Sequence, residues 1–405
     1  MILVIVFAIF LIPTKYTVLS EKLHLPSFLN PVFWLFAIIF TAIIINILKR
    51  QKVPKIPKRL LLPYIGLEGL MLLSLTYTPN LIYGVEKYLE FITYTTLACF
   101  APFFLFRSIF VLERFFYTLI AMGIFLAMAV FITNPLYFFS PIKFHTVFGT
   151  NYLAIQQIVG TGALVILYYF LFKNRSRKLV SRLILLLIML IGALFYAGGK
   201  GSVFSFFITI IFMLIAFIKF KDRFKKILIN KRMLIFFFLL IFAGGLLSFS
   251  KIGRTFLIRT KFLLSSGSYA QVERLENAKV ALELAYRHPL SGVGVGGFSD
   301  FSIQMKGIER FKYPHNIILE IISELGLIGF IFFVLIIAFV FKQFLYLQSK
   351  YRHSELYPLP NAILSLFIFS FLNSLASGNI NSYLLFAWIG SAYAIKQVLK
   401  SNYAT

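Results

Sequence analysis

The stretch NYLAIQQIVGTGALVILYYFLF, residues 151–172, contains no Asp, Glu, Lys or Arg. As a helix rising about 1.5 Å per residue it would measure about 30 Å, the thickness of a bilayer's hydrocarbon core. Its apolar residues do not alternate with polar ones, so it does not read as a strand of a membrane barrel. In hydrocarbon every backbone N–H and C=O must be paired within the protein, and a helix achieves this alone. On either side of it, comparable runs lie near residues 2–18, 31–48, 60–77, 88–106, 115–133, 183–197, 202–218, 233–249, 324–341, 360–377 and 381–396. The fold class expected is therefore all-α, a polytopic membrane helix bundle of about twelve transmembrane helices.

Composition agrees, with 60% hydrophobic and 13% charged residues. A net charge of +26 would suggest nucleic acid in a soluble chain. Here most cations sit in short segments between apolar runs, where they set orientation, so no nucleic acid is expected. Lys49, Arg50, Lys52, Lys55, Lys58 and Arg59 follow the second run, and further basic segments occupy 173–182 and 219–232. These are expected inside, together with both termini. The intervening short connections hold few cations (Lys15 and Lys22, Lys87, Lys143, Lys200) and are expected outside. Residues 250–322 are too polar to span and too long for a turn, which predicts an extracytoplasmic loop domain between nine spans in 1–249 and three in 323–405. The first run lacks a basic leader and a small-residue cleavage site, so it reads as a span rather than a signal peptide. The lone Cys99 cannot form an internal disulfide.

Within the large loop, Ser268 followed by Gln271 has the spacing of a capping box. Leu275, Ala278, Leu282 and Ala285 recur at helical spacing, predicting an amphipathic helix over 269–287 that ends before Pro289. Gly292, Gly294 and Gly297 satisfy G-x-G-x-x-G, but the fingerprint needs a preceding strand. A turn holding backbone close to a membrane face is the better reading. Gly199, Lys200 and Gly201 lack the Ser or Thr that follows the lysine of a phosphate loop, leaving Lys200 either a hairpin-turn residue or a cation held at the outer surface. The histidines at 24, 145, 288, 315 and 353 show no metal-ligand spacing, and no covalent nucleophile is apparent. His315 follows Pro314 at a membrane entrance and could be structural or carry protons. Glu320 and Glu324 share one helix face and need a partner, either loop arginines or a polar active-site mouth. The loop cations fit solvation and headgroup contact, or an anion such as a diphosphate.

Three blocks carry a resemblance. HNIILEIISELGLIG, residues 315–329, resembles the signature at the exit of the large loop in the O-antigen ligase and O-antigen polymerase superfamily. RLENAKVALELAYRHPLSGVGVGGF, residues 274–298, is similar to that family's block of an Arg, an amphipathic helix and HPLxGVGxGxF. AGGKGSVFSF, residues 197–206, is similar to its SRG turn, with Lys200 where Arg is customary. The resemblance covers about residues 190–345.

It implies a metal-independent, inverting glycosyltransferase without a cofactor, in the bacterial inner membrane, with its site facing outward. The donor would be a glycan on undecaprenyl diphosphate. The acceptor would be a hydroxyl of lipid A core in a ligase, or of another glycan in a polymerase. Read that way, Arg274 and Lys200, with Arg254 or Arg259, would surround the diphosphate, His315 would accept the hydroxyl proton, and Asn316 would hold neighbouring backbone or sugar groups. Two alternatives remain: a protein O-oligosaccharyltransferase, and a bicarbonate-type transporter. The transporter calls for charges or broken helices within the spans, and the sequence makes neither evident.

Overall fold

The computed structural model describes residues 2–11, 31–50, 54–133, 151–172, 177–197, 199–221, 269–306, 313–352 and 354–403. Among these every regular element is a helix: α1 (Ile2–Phe10), α2 (Pro31–Arg50), α3 (Lys58–Ser74), α4 (Leu81–Leu105), α5 (Ile109–Thr133), α6 (Tyr152–Phe172), α7 (Arg177–Tyr196), α8 (Lys200–Lys221), α9 (Tyr269–Arg287), α10 (Gly297–Lys306), α11 (Ile317–Lys350), α12 (Pro358–Ser377) and α13 (Tyr383–Tyr403). Seven of them are long and apolar enough to cross a membrane: α2, α4, α5, α6, α7, α11 and α12. The spans expected at 60–77, 202–218 and 381–396 form α3, α8 and α13, none of them among the seven: α3 and α13 carry Glu68 and Lys396, and the apolar part of α8, Lys200–Ala216, is shorter than the others. The span expected at 2–18 is described only to residue 11, and that at 233–249 lies outside the described residues, as do 250–268 and 307–312 of the expected loop domain.

Burial is arranged as a lipid-solvated protein requires. Outward-facing helices must be apolar toward lipid, whereas a central helix meets only protein. Accordingly α2 is strongly apolar yet mostly exposed, and the somewhat less apolar α6 is buried along nearly its whole length. The stretch at 151–172 is thus the hub, packed by α5, α7, α8 and α12. Small residues let the helices approach: a Cβ on Gly162 would lie 3.2 Å from the Leu119 carbonyl oxygen, and one on Gly390 would overlap the Cys99 carbonyl oxygen at 1.7 Å.

One span is broken. Gly326 interrupts α11 with φ 64° and ψ −163°, a conformation open essentially to glycine. The break leaves neighbouring backbone groups without helical partners, and residues 289–294 supply replacements. Val293 N–H donates to Ser323 O (3.0 Å) and Gly294 N–H to Glu324 O (2.9 Å), while Leu327 N–H donates to Pro289 O (2.8 Å) and Ile328 N–H to Leu290 O (3.3 Å). Gly292 and Gly294 take positive φ to make this path, so the Gly-rich turn does bring backbone to a helix, as a seam rather than a ligand cradle. The same turn is tied to the end of α3: Val295 N–H donates to Ser74 Oγ (3.0 Å) and Thr78 Oγ1 to Val295 O (2.8 Å). Irregular backbone inside a membrane protein is tolerated where protein satisfies it, and that condition is met here. A methyl on Gly326 would lie 2.3 Å from Leu290 O. Gly326→Ala is therefore expected to lower the melting temperature in detergent, costing at least about 1–3 kcal/mol; an unchanged melting curve would refute the seam.

The helix expected at 269–287 is present with those bounds as α9, but with another face inward. Asn277, Val280, Ala281 and Leu284 are buried, whereas Leu275 and Leu282 of the expected stripe are exposed. Of the expected capping box, Ser268 lies outside the described residues, as does the Gln271 side chain.

Candidate active site

Three helices begin in one neighbourhood. Asn151 caps α6, its Oδ1 accepting from Ala154 N–H (2.8 Å). Asn316 caps α11, its Oδ1 accepting from Ile318 N–H (2.9 Å) and Leu319 N–H (3.2 Å), with its Nδ2 donating to Leu375 O of α12 (2.9 Å). Lys200 opens α8 at its first residue, after Gly199. A cation there opposes the positive end of the helix dipole, at a cost of about 0.3–1 kcal/mol that an anion would reverse.

Contacts link these starts. Gln156, buried in α6, donates its Nε2 to Leu194 O (2.7 Å) and Gly199 O (2.8 Å), pinning the α7–α8 turn. A Cβ on Gly199 would lie 2.0 Å from Gln156 Oε1 and 3.1 Å from the Tyr152 ring, and one on Gly201 2.8 Å from Ala376 Cβ. Ser202 Oγ bonds to Asn373 Oδ1 at 2.6 Å, joining α8 to α12. The path thus runs from Tyr152 through Gly199–Gly201 to residues 373–376, and from Leu375 to Asn316. Arg274, exposed near the start of α9, lies within electrostatic reach of the Tyr152 hydroxyl.

His315 sits beside this path with φ 58°, the one described non-glycine residue at positive φ. Such a backbone costs an ordinary residue about 1–2 kcal/mol. Its ring lies 4.5 Å from that of Tyr313, centroid to centroid. Burial first, and then the Glu320 charge, push the Tyr313 hydroxyl up to about 12, with Lys87 opposing and Glu90 and Tyr152 adding, so Tyr313 is a neutral hydroxyl set among all four groups.

Below lies a buried charge cluster. Lys87 of α4 reaches Glu320 Oε1 (2.5 Å) and Glu324 Oε2 (2.6 Å), and all three side chains are almost wholly buried. Glu320 Oε2 also accepts from Ile380 N–H (2.8 Å). Asn381 Nδ2 donates to Lys87 O (3.1 Å) and Glu90 Oε2 (2.9 Å), and the Tyr383 hydroxyl bonds to Glu90 Oε1. Among the described residues the ion-pair partner of Glu320 and Glu324 is thus Lys87. Lys87 itself, expected in a short outer connection, lies in α4, because the helix begins at Leu81 and two carboxylates compensate the cation. Charges and a broken helix therefore both occur in candidate spans, contrary to the sequence expectation.

Of the expected site residues, Lys200, Arg274, His315 and Asn316 share one neighbourhood. The amide of Asn316 is engaged with backbone through both its oxygen and its nitrogen. Arg254 and Arg259 lie outside the described residues. Sequence reasoning missed Lys87, Tyr152, Gln156 and Tyr313; the polar pair Gln156–Gln157 inside an uncharged run was a signal for one of them.

Residues 184–334 match the family model described as O-antigen ligase. No curated protein matches the chain. The matched segment is well under half the chain, and it contains Lys200, α9, the Gly-rich seam, His315 and the first half of α11.

Proposed function

We propose, with similarity to the O-antigen ligase family over 184–334 as the premise, that this chain is a membrane-embedded glycosyltransferase acting on a lipid-linked glycan. The observation that carries the reading is the path joining Arg274, Tyr152, Lys200, Asn316 and His315 where three helices begin. Helix N-termini with a nearby Lys and Arg favour an anion, and a leaving diphosphate is one. The donor is a glycan on undecaprenyl diphosphate, presented at the outer leaflet of the inner membrane. The acceptor hydroxyl oxygen bonds to the anomeric carbon with inversion. The carbon–oxygen bond to diphosphate breaks, and the electron pair leaves with the lipid diphosphate between Lys200 and Arg274. The hydroxyl proton passes to His315. Stabilising the leaving charge with fixed cations and N–H groups lets the step proceed without a metal.

Purified protein given lipid-linked donor and acceptor is expected to transfer the glycan. Arg274→Gln is expected to lower turnover about 10²-fold or more, the scale of losing one preorganised charge-stabilising group. Near-normal turnover in Arg274→Gln would remove that residue from the site. The product separates the two acceptors: growth of the glycan marks a polymerase, and a single transfer to lipid A core marks a ligase. Modification of a pilin-like protein would instead identify a protein O-oligosaccharyltransferase.

A carrier is the second reading, favoured by the break at Gly326 and the charge cluster in α4 and α11. The bonds across the break are made within the protein, and Lys87 occupies both carboxylates, which leaves the transferase reading ahead. Uptake of labelled bicarbonate by proteoliposomes with no transfer activity would reverse the order.

A further inference from the structure

Helix α9 has two apolar faces, and only one is used by the protein. Indexed at about 100° per residue, Asn277, Val280, Ala281 and Leu284 form the inward arc, which meets Val293, Phe298 and the start of α11. Val272, Leu275, Leu282 and Tyr286 fall on the opposite arc together with Lys279, and all are exposed, Tyr286 by 86%. Of the other charges whose side chains are described, Glu276 and the Glu283–Arg287 pair (2.5 Å) lie on one flank and Arg274 on the other. A helix facing water would carry those charges on its outward arc.

The outward arc also continues into a surface of known type. Leu290 is exposed, and its carbonyl accepts from Ile328 N–H of α11. Leu327, Ile328 and Ile331 are exposed on α11, a helix apolar enough to span. The end of α9 is thus held at the outer end of a spanning surface.

We propose that α9 is an interfacial helix whose outward face, from Val272 to Leu290, rests on the bilayer at the boundary of headgroups and acyl chains. A tyrosine and a lysine within an apolar arc suit that depth, the ring lying among headgroups and the lysine stem lying along apolar chains with its charge in water. The Glu283–Arg287 flank faces water, and Arg274 is carried at headgroup height, where a diphosphate lipid presents its anion. The placement of α9 stands on the spanning helices alone and does not depend on the transferase reading.

Tryptophan reporters in proteoliposomes test it. In a background with Trp34, exposed on α2, changed to Phe, the native Trp388 is buried and gives a constant baseline. Leu282→Trp is expected to lose most of its added emission when phosphatidylcholine is replaced by its chain-brominated form, and to be shielded from aqueous iodide. Glu276→Trp is expected to respond in the reverse way. Ile331→Trp on α11 is the lipid-facing control. Iodide quenching of Leu282→Trp would overturn the proposal by showing an outward face in water. Resistance to both quenchers would overturn it equally, by showing that protein, including residues 222–268 of this chain, covers the face. All three reporter positions are exposed, so a folded protein is expected in each case.

Discussion

Lys87→Met is expected to be the most destabilising single substitution among the described polar residues. It would leave Glu320 and Glu324, one turn apart and almost fully buried, without the ammonium that both contact. Removing one partner of a buried pair costs about 3–5 kcal/mol, because the remaining charge is uncompensated. The check is thermal stability in detergent, read as loss of monodisperse protein on size exclusion. The triple variant Lys87→Met, Glu320→Gln, Glu324→Gln sharpens it. Removing every charge together is far less costly than removing one, so the triple variant should recover most of the lost stability. A Lys87→Met protein that melts like the parent would show that the cluster does not hold α4 to α11.

His315→Ala is expected to reduce transfer about 10²- to 10⁴-fold, the usual contribution of a general base. Because His315 has φ 58°, alanine also introduces backbone strain, and lost activity alone would be ambiguous. His315→Asn resolves this. Asparagine tolerates the left-handed region better than alanine and keeps a polar side chain, but cannot accept the proton as a base. Both variants should lose turnover, while His315→Asn keeps the parent melting temperature. An active His315→Asn protein would reassign His315 to shaping the loop before α11.

The helical character of the chain was legible because lipid demands it locally: a run such as 151–172 declares itself without reference to any other segment. The bounds of α9 were legible for a similar reason, with Pro289 ending the periodic segment. Its orientation was not. Large side chains at Leu275 and Leu282 dominate the periodicity, whereas the smaller Ala281 and Val280 face the protein, and a pattern of hydrophobicity cannot distinguish lipid from protein as its neighbour. Lys87 was illegible for another reason. A cation near a span boundary looks like an orientation signal until its partner is known, and that partner lies 237 residues away at Glu324. His315, Asn316 and Arg274 were found through sequence blocks. What joins their neighbourhoods, through Tyr152 and Gln156 of α6, lies outside the matched segment and is visible only in the fold.

The seam at Gly326 also sets an order of assembly. The C-terminal end of α3 takes its hydrogen bonds from Val295, and the turn bearing Val295 takes its own from residues 323–328. During synthesis α3 must wait for more than two hundred further residues before its C-terminal end is complete, and the turn cannot settle until the break in α11 has emerged. Contacts so distant in sequence form late. Closure of the seam is therefore a checkpoint that the chain can pass only after residue 328 has emerged, and the turn at 289–295 settles no earlier than that.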